Sequence, residues 1–166
     1  ADILVLLVHE GAATTDISSA TDDSNFGRIV NGADPDIDMI ISGHTHLAYD
    51  FDVPIPGTDR TRPVISSGQY GAMYGHSRIV YDPATEALTI DTENLNLIGA
   101  FPPDPAVAAI VADAVEVAKE LGSVSLGSIT QDIRRAVQTN GSENRGGEST
   151  IGNLISDAQL AATEDL

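Results

Sequence analysis

The sequence predicts a mixed α/β chain, rich in strands over roughly its first hundred residues and helical beyond them. Three observations carry this. Two short apolar runs, Ile3-Leu4-Val5-Leu6-Leu7-Val8 and Ile37-Asp38-Met39-Ile40-Ile41, each end in a glycine turn. Alternating apolar and polar residues follow at 77–81 and 87–90. Beyond Pro102-Pro103-Asp104-Pro105 the apolar residues recur at three-and-four spacing instead.

The elements follow in order. The run at 3–8 reads as a strand buried on both faces, closing in the turn His9-Glu10-Gly11. Residues 12–25, rich in Ala, Thr, Ser and Asp, read as a loop. A short helix is expected over 22–33, with Phe26, Ile29 and Val30 on one face. A second buried strand at 37–41 ends in Ser42-Gly43-His44-Thr45-His46. Pro54, Pro56 and Gly57 mark a loop, and Val64-Ile65-Ser66 a third strand closed by Gly68 and Gly71. The segments at 77–81 and 87–90 form an antiparallel pair across the turn Asp82-Pro83-Ala84-Thr85-Glu86, and 95–98 continues in strand style. Asp104 suits a helix N-cap, Pro105 the first helical position and Gly122 the stop. Between them Val107, Ile110, Val111, Ala114, Val115, Ala118 and Leu121 make one apolar stripe. A short strand is expected at 123–130, a flexible loop at 140–147, and a last helix from Thr150 with Ile151, Leu154, Ile155, Ala158 and Ala161 on one side.

Composition narrows the function. Its 166 residues and 42% hydrophobic content suffice to bury a core. Eight Lys and Arg against 25 Asp and Glu give a net charge of −17. That balance argues against tracking a nucleic-acid backbone or docking on anionic lipid. It also repels anionic substrates unless bound cations invert the local field. There is no cysteine, which removes disulfides, thiolate nucleophiles and Cys-based metal sites. No apolar run reaches the length of a membrane span, and no signal peptide is visible. The first residue is Ala1, directly before a strand pattern, which suggests that something was removed upstream.

Of the four histidines, His9, His44 and His46 follow buried strands directly. Loops at strand ends are where sheet proteins gather functional groups. If His44-Thr45-His46 is extended, both imidazoles lie on one side of it, because side chains alternate with period two. Neutral imidazole suits zinc, manganese, iron, cobalt or nickel. Read blandly, these are loop histidines hydrogen-bonded to carbonyls. His76, at the start of an alternating strand, reads as structural or merely exposed, and Glu10 as a solvated turn residue.

The strings Val8-His9-Glu10-Gly11 and Ile41-Ser42-Gly43-His44-Thr45-His46 resemble the C-terminal metal motifs of calcineurin-like metallophosphoesterases. More narrowly they resemble the 5′-nucleotidase, UDP-sugar hydrolase and 2′,3′-cyclic-nucleotide phosphodiesterase/3′-nucleotidase branch. Val64-Ile65-Ser66-Ser67-Gly68-Gln69-Tyr70-Gly71 resembles the strand and loop after that branch's second motif. Glu148-Ser149-Thr150-Ile151-Gly152-Asn153-Leu154-Ile155-Ser156-Asp157-Ala158 resembles the opening of its second domain. The resemblance implies an α/β (α+β) fold: the C-terminal half of a four-layer αββα sandwich at 1–103, a connecting helix at 104–122, and the start of a C-terminal nucleotide-binding domain at 123–166.

It also implies a dinuclear centre with ions about 3.5–4 Å apart that clamp phosphate and activate water. His9 and His44 would ligate one ion and His46 the other. The implied cofactors are two divalent ions, Zn, Mn, Mg or Co. The implied substrate is a nucleotide or another small phosphoester. The family's Asp-x-His and Asn-His-Glu/Asp motifs are not in this sequence, so no catalytic residue carries over. The resemblance therefore implies an internal fragment, inactive alone, with open strand edges that invite a complementary N-terminal piece or self-association. It implies a secreted, periplasmic or cell-surface location. The same fold with a cyclic-nucleotide or thiosulfohydrolase-like substrate is an alternative, and a non-catalytic binding domain is another.

Overall fold

The apolar run at the amino end becomes a three-residue strand, β1 (Val5–Leu7), in the computed structural model, which describes residues 2–164. A 3₁₀ turn (Ile17–Ala20) and α1 (Asn25–Gly32) follow, inside what the sequence reads as loop and a longer helix. Ser24 starts α1 by accepting the Gly27 N–H at 3.1 Å. Then come β2 (Met39–Ile41), β3 (Ala48–Pro54), β4 (Thr61–Ser67), and the long hairpin strands β5 (Met73–Asp82) and β6 (Ala87–Asn96). Two helices complete the order, α2 (Pro105–Gly122) and α3 (Thr150–Thr163). The fold is thus mixed α/β with two small sheets.

The first sheet has the order β1-β2-β4-β3. β1, β2 and β4 run parallel, and β3 lies antiparallel on β4. Registry assigns each face. Leu6 pairs with Ile40, Ile40 with Val64, Val64 with Phe51, and Ser66 with Tyr49. This inner face meets Phe26 and Val30 of α1 and forms the core. Tyr49 and Phe51 stack at 4.6 Å, nearly coplanar. Arg62 lies on the same face, fully buried. Its guanidinium donates to the carbonyls of Ala33 (3.2 Å), Asp34 and Ile37 (both 3.0 Å), at and just beyond the C-terminal end of α1. A cation there complements the helix dipole. Burial, with Arg60 nearby, pushes the guanidinium below its ordinary value.

The opposite face carries Val5, Leu7, Ile41, Asp50 and Ile65. The β5–β6 hairpin packs on β3 and β4 on this side. Asn94 Nδ2 donates to the carbonyls of Tyr49 (3.1 Å) and Ser66 (3.0 Å), and Thr92 Oγ1 donates to Asp50 (2.6 Å). Gly75 permits the close approach, since a Cβ there would sit 2.7 Å from Ser67 Oγ.

Four expectations are corrected. β1 is not buried on both faces: Leu7 is 77% exposed, because the hairpin covers β3 and β4 rather than β1. β3 is an additional strand beyond those expected, although Tyr49, Phe51 and Val53 alternate with Asp50 and Asp52 across it. The strand style at 95–98 is the end of β6, whose last residue is Asn96. No strand forms at 123–130; the nearby pairing is a single bridge between Val137 and Glu143.

Contacts divide the molecule into Ala1–Asp104 and Pro105–Leu166. In the second unit α2 begins at Pro105 and ends at Gly122. α3 is capped by Ser149, whose Oγ accepts the Gly152 N–H at 3.1 Å. Thr150 Oγ1 accepts the Arg134 N–H (2.7 Å) and donates to the Arg134 carbonyl (3.1 Å), tying the preceding segment to the helix start. Among the described residues no helix is long and apolar enough to cross a membrane.

Candidate metal centre

Parallel strands deliver their following loops to one end of a sheet, and ligands of open α/β sheets bind there. Here β1 delivers His9, β2 delivers Ser42-Gly43-His44-Thr45-His46, and β4 delivers Gly68-Gln69-Tyr70. Pairing runs past β1, with the Val8 N–H on the Ile41 carbonyl at 2.9 Å, so His9 leaves the sheet beside β2. The Gly43 N–H donates to the Glu10 carbonyl at 3.1 Å and joins the two loops. Gly11 lies under this joint: a Cβ there would be 2.1 Å from the Gly43 carbonyl oxygen.

A buried tyrosine holds the same loops from beneath. The Ala12 N–H donates to Tyr49 Oη at 3.0 Å. Ser42 Oγ donates to the Ile65 carbonyl at 3.0 Å, which commits its only proton. The 2.8 Å contact between Tyr49 Oη and Ser42 Oγ is therefore donated by the tyrosine. The result is a one-way relay of hydrogen bonds, Ala12 to Tyr49 to Ser42 to Ile65, linking both histidine loops to β4. Sequence reasoning missed Tyr49; its place in the Tyr49, Phe51, Val53 alternation was the available signal.

The segment His44-Thr45-His46 is not extended, which corrects the expectation that both imidazoles share a side. His44 has φ +66° and His46 φ +63°. The Thr45 N–H donates to the Gly43 carbonyl at 2.7 Å, so His44 centres a γ-turn of the rarer, strained hand. Residues held this way cost about 1–3 kcal/mol each and cluster at functional sites. The two imidazoles consequently diverge. His44 Nδ1 meets His9 Nε2 at 3.3 Å, with the rings edge to face. His46 turns to Tyr70, ring centroids 5.6 Å apart.

The His9–His44 spacing fits a shared cation. Two imidazole nitrogens bound tetrahedrally at 2.0–2.1 Å stand about 3.3–3.4 Å apart. The same contact serves as an N–H···N hydrogen bond when one ring nitrogen is protonated. Between the histidines, Thr45 Oγ1 is buried without a hydrogen-bond partner. Among the described residues no group of three His, Asp or Glu side chains is placed to hold a metal ion. Glu10 Oε1 accepts its neighbour's Gly11 N–H at 3.4 Å, within its own turn. His76 pairs with Glu93 at 3.0 Å on the hairpin.

Beside the histidine loops lies an open cavity of about 340 Å³, lined by Ser42, Gly43, Ser66, Gly68, Gln69 and Tyr70 among others. A larger one of about 450 Å³ is bounded by Asp38, Asp52, Arg60 and Glu86, where β2 and β4 begin rather than end. The smaller cavity and the histidine loops thus share the C-terminal end of the parallel strands, and the larger cavity lies at the other end. No family model, curated protein or solved structure matches this sequence.

Proposed function

We propose that this protein contributes the histidine half of a divalent-metal phosphohydrolase centre of the 5′-nucleotidase type. The observation that carries the reading is the His9 Nε2 to His44 Nδ1 distance of 3.3 Å at the ends of adjacent parallel strands. The strained turn at His44 and the motif resemblance of both loops support it. In this reading His9 and His44 share one ion and His46 serves a second. The β-hairpin on the first sheet represents the two inner layers of a four-layer sandwich. Bound divalent ions would neutralise phosphate charge and lower the pKa of a coordinated water.

The protein's own residues perform the rest. The Tyr49 relay and the Gly11–Gly43 contact fix the spacing of His9 and His44. The cavity under Ser42, Gly68 and Tyr70 gives a small phosphoester room beside them. Two or three imidazoles without carboxylates hold divalent ions weakly, because ligand number and charge set affinity. The 166-residue polypeptide by itself is therefore expected to release no phosphate from AMP or from 2′,3′-cyclic AMP.

The test is zinc titration of the 166-residue polypeptide, followed by NMR of the imidazole nitrogens. His9 and His44 should shift together, and His9→Ala should abolish the response of His44. A His44 response unchanged in His9→Ala overturns the shared site. Adding a polypeptide that bears Asp-x-His and Asn-His-Glu/Asp motifs then separates the enzyme from a binding domain. Phosphate release supports the enzyme; zinc binding without turnover supports the binding domain.

A further inference from the structure

The sequence contains two Asn-Gly pairs, Asn31-Gly32 and Asn140-Gly141, and the structure treats them oppositely. Asn31 lies within α1, with its Nδ2 donating to the Thr21 carbonyl at 2.9 Å. Asn140 lies at the tip of a small hairpin closed by the Val137–Glu143 bridge and the Gln138 N–H to Ser142 carbonyl bond at 2.8 Å. Its Oδ1 accepts both the Ser142 N–H (3.0 Å) and the Ser142 Oγ–H (2.7 Å), which folds the carboxamide back over its own backbone. Gly141 is exposed, has φ +83°, and has open space where a Cβ would stand.

We propose that Asn140 is a site of non-enzymatic modification by deamidation, selected by this loop. The Gly141 backbone nitrogen attacks Asn140 Cγ and loses its proton. A bond forms between that nitrogen and Cγ, the Cγ–Nδ2 bond of Asn140 breaks, and ammonia leaves, giving a five-membered succinimide. Water then adds to either ring carbonyl and leaves aspartate or isoaspartate. No oxidant or reductant enters.

Both asparagines precede a glycine with open space where a Cβ would stand, which leaves the attacking nitrogen unshielded. Two further features favour Asn140. The two Ser142 donors polarise the amide carbonyl and meet the negative charge that grows on Oδ1. The hydrogen bond that must open, Gly141 N–H to the Gln138 carbonyl at 2.9 Å, is a lone turn bond on an exposed loop. At Asn31 the corresponding rearrangement requires part of α1 to unwind. Each event adds one carboxylate close to Glu143, which already binds Arg135 at 2.6 Å.

The experiment is incubation of the intact 166-residue polypeptide at neutral pH, with peptide mapping by mass spectrometry over time. The Asn140 peptide should convert to two acidic isomers at least about tenfold faster than the Asn31 peptide. Gly141→Ala should slow it about tenfold, and Ser142→Ala by a smaller factor. Equal rates at Asn31 and Asn140, or a Gly141→Ala variant that converts as fast as the parent, overturn the proposal. The Asn31 comparison needs no variant, so it holds whatever Gly141→Ala does to folding.

Discussion

Replacing Tyr49 by Phe deletes one oxygen and leaves the ring, which isolates what the hydroxyl does. The ring's stacking on Phe51 at 4.6 Å and its tilted contact with Phe26 at 6.3 Å are retained. The Ala12 N–H, on a fully buried residue, loses its acceptor. An unmet buried donor costs about 1–3 kcal/mol. Ser42 Oγ loses an incoming bond worth about 0.5–1.5 kcal/mol but keeps its own donation to Ile65. The expected loss is about 1.5–4.5 kcal/mol, read as a lower urea midpoint at unchanged slope. Zinc affinity at His9 and His44 should fall about tenfold, as when groups supporting metal ligands are removed. Arg62→Met is the control, because it destabilises the fold from the far end of β4. A Tyr49→Phe loss below about 0.5 kcal/mol refutes the hydrogen-bond relay. An equal drop in zinc affinity for Arg62→Met refutes the positioning role.

Three further outcomes follow. Gly11→Ala should cost about 1–3 kcal/mol or more in urea unfolding and part the two loops, because its Cβ would lie 2.1 Å from a backbone oxygen. Arg62→Met should cost about 3–5 kcal/mol in the same assay, since it strands three carbonyls that now accept from the guanidinium. Acid should weaken the fold through carboxyls held below their ordinary range. Ser18 does this to Asp16, Ser24 to Asp22, and the Ala84 N–H with the Thr85 hydroxyl to Asp82. Their stabilisation is complete above about pH 3.9 and is lost as pH falls through the lower folded values. Circular dichroism of urea unfolding between pH 5 and 2 checks it, and Asp82→Asn should reduce the decline.

The parallel strands were legible because they carry continuous apolar runs that end in glycine, and the three histidines at their ends stood out by position. α2 was legible to its ends because Pro105 and Gly122 punctuate a clear apolar period. What periodicity does not encode is which face another element covers. Leu7 reads as core and is exposed because the hairpin packs elsewhere. The divergence of His44 and His46 was equally hidden, since a γ-turn at a non-glycine residue contradicts local preference and arises from the Gly43 and Thr45 backbone. Tyr49 was overlooked because its hydroxyl acts on residues 37 positions upstream and 7 positions upstream.

The Arg62 contact bears on how the protein folds. α1 has eight residues, fewer than an isolated helix needs to persist in water. Its C-cap, Ala33, and the segment leading to β2 are held by a side chain from β4, 25 or more residues further on. The helix is therefore expected to consolidate together with the docking of β4 rather than as an independent nucleus. Amides of α1 and β2 should then exchange with solvent as one cooperative unit, with a common opening free energy, and Arg62→Met should release them together.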